Sequence, residues 1–535
     1  MSSGSAKDSV NVSDLPAELL GSIFIWTADI LGDSQYKVTK APPCTYLSHV
    51  SRHWRNVALA CQKLWSARLP RRSVEWTEIC LSRCPSITLD VTIDAFYHEG
   101  YFKGGRKAAA LVMQHWGRVR TLCMKPALYP LDMDEAERVL SEASQADLRT
   151  LFDFIAHPNE NLEVLEFDFR LDISMMHDVV PIELPANLLS RQHPPRLRRL
   201  ELAYCALPRA PPTQLFSTSL RTLKLYNTRA WEDIDSMTQY FLAMPMLEHF
   251  EYEYDRQNEA FDCSPSRSHS IRSVPMPHLK DIVLKGHWLQ NIAIFTYIAV
   301  PSDCSFQIIF RGWDIIDGLP EDTVHEVIAM AKSALVQHFS PATSRDVFYS
   351  EVTIARYHMR ARIPAREDKQ HSDASALLPP ELDLAFPATD DMGISKAAFD
   401  LFLSQPVLTR ATRLYFNAGL WLLSPEVYEQ YTSVRDLYLT GCDDVWAFAS
   451  ALRSKGTALF PTLSRVILLN LTVPRGRAYD LSDMADALRE SHAAEKSFEH
   501  LVLEHCDHVT EEVENEMKAE LGEHRVVRNP PLQQL

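Results

Sequence analysis

Apolar side chains near the start of the chain recur at helical spacing. Leu15, Leu19 and Ile23 stand four apart, with Leu20 and Phe24 flanking them, and together make one stripe of an amphipathic helix. Asp14 can cap that helix through its carboxylate, Pro16 falls in the first turn where a missing N–H costs nothing, and Glu18 lies near the positive end of the helix dipole. A polar, proline-containing stretch runs from Gly32 to Pro43. Beyond it the spacing predicts a second helix from near Thr45, with Leu47, Val50, Trp54, Val57 and Cys61 forming a narrow seam. Leu64 and Trp65 follow, and Pro70 ends the unit.

Further along, the period changes. Short runs carry apolar residues at relative positions one, four and six: Leu162-Leu165-Phe167, Leu197-Leu200-Leu202, Leu220-Leu223-Leu225, Leu247-Phe250-Tyr252 and Leu279-Ile282-Leu284. Val434-Leu437-Leu439, Leu463-Val466-Leu468 and Phe498-Leu501-Leu503 repeat it, and Val119-Leu122-Met124 and Ala411-Leu414-Phe416 are weaker members. Positions four and six point the same way on a strand. Position nine is Cys205, Cys442 or Cys506 in three runs, where a small thiol can turn inward and satisfy the turn backbone. This is the grammar of a leucine-rich repeat with irregular spacing. Helices are predicted between the strands at Ile234–Leu242, Thr323–Phe339 and Leu481–His492. Residues 286–410 fit the repeat poorly, although Phe306–Phe310 and Val347–Ala355 read as strands. Arg256–Pro277 and Pro364–Pro380, rich in Ser, Pro and charge, read as exposed loops.

Composition narrows the function classes. The 535 residues carry 54 Lys and Arg against 70 Asp and Glu, a net charge of −16, which is the wrong sign for a generic nucleic-acid binder. Segment 13–70 is the exception, with six basic and four acidic residues (net +2), and the shift marks a boundary near residue 70. The longest apolar run, Ile292–Val300, is too short for a membrane span. Ten cysteines are too sparse for a disulfide scaffold, and Met1–Val12 has no apolar secretory core, so a reducing cytoplasmic or nuclear setting is expected.

No chemistry-bearing motif emerges. There is no glycine-rich phosphate loop and no nucleophile elbow. His325-Glu326 opens like a zinc-protease helix, but residue 329 is Ala. Cys80 and Cys84 lack a second pair, and Cys506, between His505 and His508, is explained by the repeat's position nine. Carboxylate pairs such as Glu251/Glu253 and Asp443/Asp444 have no acid–base context. No enzyme activity, cofactor or metal is expected.

The ordered set Leu15-Pro16-Ala17-Glu18-Leu19-Leu20, Ile23-Phe24, Leu47, Val50-Ser51-Arg52, Trp54-Arg55, Val57-Ala58 and Leu64-Trp65 resembles an F-box, and it covers about a tenth of the chain. The remainder resembles the leucine-rich-repeat region of eukaryotic F-box proteins. The resemblance implies an α/β protein: a small all-α F-box helical unit, then an irregular solenoid whose curved parallel sheet carries outer helices. It implies a substrate receptor that binds the Skp-type adaptor of a cullin–RING ubiquitin ligase and itself transfers nothing. A ligase-independent scaffold or ligand sensor with a vestigial F-box is the alternative. The stretch Thr27–Pro43 is about a dozen residues longer than in compact F-boxes, a length a surface loop absorbs cheaply.

On this reading the chain divides into a 1–12 tail, an F-box at 13–70, a connector with a first strand at 71–118, repeats over 119–526 and a tail at 527–535. Leu15, Pro16, Leu19, Leu20, Ile23, Phe24, Val50, Trp54, Leu64 and Trp65 are expected to face or support the adaptor. Positions three, five and seven of each repeat are expected on the exposed sheet face as substrate contacts. They include Glu166, Asp168, Arg199, Glu201, Lys224, Tyr226, Glu251 and Glu253, whose five carboxylates suit a basic partner, and Arg413, Tyr415, Tyr438 and Arg465. Neither a nucleic acid nor a membrane is an expected partner.

Overall fold

The structure is a computed structural model. It describes residues 15–33, 43–71, 73–94, 103–125, 142–169, 181–207, 215–254, 261–310, 320–355, 358–363, 377–379, 381–386, 392–417, 425–471, 479–493, 498–506 and 509–529. Asp14, His508, the 1–12 tail, residues 34–42 of the long insert and most of Pro364–Pro380 lie outside the described residues. The fold is mixed α/β with largely parallel sheet, and the chain forms two compact units, Met1–Ala230 and Trp231–Leu535.

The first unit opens with helices α1 (Ala17–Asp33), α2 (Pro43–Leu47), α3 (Arg52–Ala60) and α4 (Gln62–Ser66). The single helix expected from Thr45 is broken at residues 48–51. Ser51 is extended there, and its hydroxyl accepts the Trp54 N–H at 3.1 Å, starting a new helix across the apolar seam. The α1 stripe also divides. Leu20 and Phe24 are fully buried, while Leu19 and Ile23 look outward. Phe24 packs on Trp54 with ring centroids 5.0 Å apart, and the buried Trp65 donates its indole N–H to the Ala58 carbonyl at 2.8 Å.

After α5 (Val74–Arg83) comes β1 (Leu89–Asp94), the first strand, followed by α6 (Lys103–Met113), β2 (Val119–Lys125), α7 (Glu142–Ile155) and β3 (Val164–Asp168). A two-residue pair, β4 (Ile182–Glu183) and β6 (Cys205–Ala206), flanks β5 (Arg199–Ala203), and β7 (Thr222–Tyr226) follows. Strands β1, β2, β3, β5 and β7 lie side by side in parallel. Their register aligns Leu122, Leu165, Leu200 and Leu223 in one row and Met124, Phe167, Leu202 and Leu225 in the next, all fully buried. Burying such rows on one face, at roughly 1.5–3 kcal/mol per side chain, fixes the strand register, because a one-residue slip would expose a whole row.

The second unit begins with α8 (Ile234–Leu242), capped reciprocally by Asp233 and Ser236, and β8 (His249–Tyr254). The remainder of Arg256–Pro277 described here, 261–277, exposes Asp262, Ser264, Arg267, Ser268 and Ser270 as expected but is pinned down at both ends. Phe261, Cys263, Val274 and Met276 are buried, with β9 (Val274–Pro275) pairing β11 (Ile298–Ala299). Strand β10 (Asp281–Gly286) ends on Gly286 at φ +103°, where a Cβ would lie 1.7 Å from the Tyr254 carbonyl oxygen. Helix α9 (Trp288–Tyr297) is buried on every side. It packs under α10 (Glu321–Ser344), which follows β12 (Ser305–Phe310).

Next come β13 (Glu351–Ala355), β14 (His358–Arg362) and β15 (Glu381–Ala385), then α11 (Met392–Leu403), α12 (Pro406–Thr409) and β16 (Arg413–Asn417). Helix α13 (Pro425–Tyr428), β17 (Asp436–Leu439), α14 (Cys442–Lys455), β18 (Arg465–Leu469), α15 (Tyr479–Leu488), β19 (His500–Glu504), α16 (Glu511–Leu521) and β20 (Val526–Asn529) complete the chain. The order across this unit's sheet is β8-β10-β12-β15-β14-β13-β16-β17-β18-β19-β20, with β14 antiparallel to both neighbours and every other pairing parallel. Strand β20 runs on through Asn529, so residues 527–529 belong to the sheet and not to the tail expected from 527. No helix among the described residues is long and apolar enough to cross a membrane.

Candidate functional site

The helical segment carries an outward apolar face. Leu19, Ile23 and Val50 are 55%, 45% and 61% exposed, and Pro16, three residues before Leu19, is exposed as well. Leu15 and Trp54 are half-buried. Leu20, Phe24, Leu64 and Trp65 are corrected to core positions: their surface is used inside the unit, so they support the helices and cannot touch a partner. Two residues were missed. Trp26, 74% exposed, stands three positions after Ile23 and extends the Leu19–Ile23 ridge, and Tyr46 is 55% exposed on α2. The helical spacing that picked out Leu19 and Ile23 also reaches Trp26.

The sheet faces are ionic rather than simply acidic. In the first unit Glu166 pairs with Lys125 at 2.7 Å and Glu201 with Arg199 at 2.8 Å. Lys224 lies directly across from Glu201, and Tyr226 from Ala203. Asp168, Glu201 and Ala203 are buried, not exposed as expected. In the second unit Lys285 sits between Glu251 at 2.5 Å and Glu253 at 3.6 Å. Four of the five carboxylates expected to attract a basic segment therefore already hold a cation. Three cations serve these four carboxylates, Glu251 and Glu253 sharing Lys285, so most of the charge expected to draw a basic segment is already met.

The other face of interest lies on β13 to β20. Tyr415 and Tyr438 stack at 4.0 Å and nearly parallel (12°), and their register continues through Ile467, Val502 and Val527 on successive strands. Burial pushes the Tyr415 hydroxyl well above the usual phenol range, and its hydrogen bond with Tyr438 adds to this. Beside this apolar row runs a ladder of charge: Glu351–Arg413 at 2.6 Å, Arg413–Asp436 at 3.7 Å and Arg465–Asp436 at 2.8 Å. Asp436 and Ile467, expected to be exposed, are buried.

A third cluster was invisible to the repeat pattern. On β14 and β15, Asp383 receives His358 and Arg360, while Glu381 pairs with Arg360 at 2.8 Å and Arg362 at 3.1 Å. Burial alone would raise the Asp383 carboxyl, but its bonds to His358 and Arg360 hold it below the usual range.

Among the described residues no group of three or more His, Cys, Asp or Glu is placed to hold a metal ion. Cys205, Cys442 and Cys506 are all buried, and the Cys506 thiol donates to the Leu468 carbonyl at 3.1 Å. Cys80 on α5 and Cys84, the residue that caps its C-terminus, are buried, with the Cys84 thiol donating to the Cys80 carbonyl. Compared with known proteins, the chain matches no protein-family model, and no curated protein matches it in sequence.

Proposed function

We propose that this chain is the substrate-receptor subunit of a Skp–cullin–F-box ubiquitin ligase. Helices α1–α4 act as an F-box that docks a Skp-type adaptor, and irregular leucine-rich repeats present their sheet face to a protein substrate. One observation carries the first half. Nine large apolar side chains are exposed among the described residues, and five of them (Leu19, Ile23, Trp26, Tyr46 and Val50) fall between positions 19 and 50. A small helical unit that buries Leu20, Phe24, Leu64 and Trp65 for itself and still leaves such a group outside has a surface suited to a partner's helix. The second half is supported by the ten predicted runs, each of which coincides with a parallel strand whose positions four and six are buried.

The test is direct binding of the purified, folded chain to a purified Skp-type adaptor. Capture is expected, and it should be lost on Ile23→Asp, which places a charge on the outward ridge without entering the core. A folded chain that fails to bind ends the reading.

A further inference from the structure

Five serines fall between Cys263 and Val274, where the chain forms neither helix nor strand. Three backbone N–H groups tie this segment down: Asp262 donates to the Glu232 carbonyl at 2.8 Å, Ser266 to the Tyr297 hydroxyl at 2.8 Å and Arg272 to the Thr296 carbonyl at 2.9 Å. The Ser266 hydroxyl is occupied, donating to the Asp235 carboxylate and accepting the N–H groups of Ser268 and His269. Ser264 differs. It is exposed, and its hydroxyl makes no hydrogen bond among the described residues, although its N–H donates to the Asp262 carboxylate at 2.9 Å. Its neighbours Cys263 and Pro265 line a cleft of about 160 Å³ against α9 and α10, so close packing does not fasten this part of the segment.

We propose that Ser264 is a phosphorylation site for a proline-directed protein kinase. Such a kinase takes an extended serine segment into its cleft and seats the next residue in an apolar site. Proline suits that seat because it brings no N–H to be left unsatisfied. A basic side chain two residues beyond the proline adds an ion pair with an acid at the cleft's edge. Ser-Pro occurs three times in the chain, at Ser264, Ser340 and Ser424, and the third residue after the serine is basic only for Ser264, where it is Arg267. Ser340-Pro341 lies inside α10 and is held helical. Arg267 is exposed and forms no ion pair among the described residues, so both recognition elements are presented. In the transfer the Ser264 Oγ bonds to the γ-phosphorus of ATP and the bridging P–O bond breaks. The nucleoside diphosphate leaves, and the hydroxyl proton passes to the kinase's own carboxylate. The product places about two negative charges in the turn that Asp262 already occupies, and like-charge repulsion opens that turn.

Phosphorylation of the full, folded chain by a purified cyclin-dependent kinase with radiolabelled ATP tests this, the site being mapped by mass spectrometry. The label is expected on Ser264 and should be absent from Ser264→Ala. Arg267→Ala should slow its uptake about tenfold. Ser340→Ala should be labelled like the wild type. Ser264 and Arg267 are both exposed, so neither substitution disturbs the core. Failure of the folded wild type to take up label overturns the proposal, and so does equal labelling of Ser264→Ala with the phosphate then on Ser270 or Ser340. Hydrogen exchange reads the consequence. The Ser264 and Ser266 amides, held by Asp262 and Tyr297, should exchange severalfold faster in the phosphorylated chain, whereas kinase-treated Ser264→Ala should show no change. Equal exchange before and after phosphorylation of the wild type overturns the opening of the turn.

Discussion

His338, on α10, is buried against Phe295 and Phe339 with Arg272 beside it. The Arg272 guanidinium lies 5.5 Å from the Phe295 ring centre and donates to the Val300 carbonyl at 2.9 Å. Burial, and secondly the neighbouring guanidinium, push the imidazole down to about 3. In the folded chain His338 is therefore neutral from about pH 7 down to about pH 3, whereas in the unfolded chain it takes a proton below about 6.5. The unfolded state binds more protons throughout that window, so the contribution to stability falls as pH drops from about 6.5 towards about 3. Between pH 7 and pH 5 the loss from this one residue is about 2 kcal/mol. Urea unfolding at the two pH values checks it: His338→Leu should lose less stability over the interval than the wild type by about that amount. An identical pH response in both proteins would refute the assignment.

Elements were legible where local spacing and long-range packing asked for the same thing. Every Leu-x-x-Leu-x-Leu-like run became a strand because its fourth and sixth positions enter the same buried rows. Helix α8 is found at its predicted residues, Ile234–Leu242, since Asp233 and Ser236 fix its start. The misreadings come from competition between signals. The 45–61 seam kept its apolar period through Ser51, and the cap prevailed over the period. Strands β14 and β15 have no leading apolar residue in the repeat pattern. Their alternation places Met359, Ala361, Leu382 and Leu384 inside and a set of charged side chains outside, and their pairing depends on a chain reversal that no repeat register predicts. Charge on the strands was read singly, although its meaning lies in cross-strand pairs. Asp436 shows this best, because it accepts from Arg465 through both oxygens at 2.8 Å and faces Arg413 as well. Asp436→Asn should cost about 1–2 kcal/mol, most of the loss coming from guanidinium groups left without their acceptor and softened by their exposure. Equilibrium unfolding would show it, and a neutral result would mean the ladder is decorative.

At the scale of the whole molecule, apolar surface was easy to find in the sequence, and its direction was not. Leu19 and Leu20 are neighbours of one type, yet one is 55% exposed and the other is not exposed at all. A stripe wide enough to serve both a core and a partner has no edge that spacing alone can draw. That division gives the proposed receptor separable halves. Trp65→Ala opens the core, should cost roughly 3–5 kcal/mol, and should remove adaptor capture only by unfolding the helices. Trp26→Ala should leave unfolding unchanged while removing capture. Tyr438→Ala acts on the stacked pair of the second unit's sheet, so it should leave adaptor capture intact and reduce the set of proteins labelled by a proximity enzyme fused to the chain. If Tyr438→Ala left that set unchanged while Trp26→Ala depleted only ligase components, the sheet's aromatic row would be ruled out as the client surface. The search would then move to the charged cluster of β14 and β15, where Arg360 and Arg362 stand beside Asp383 and Glu381.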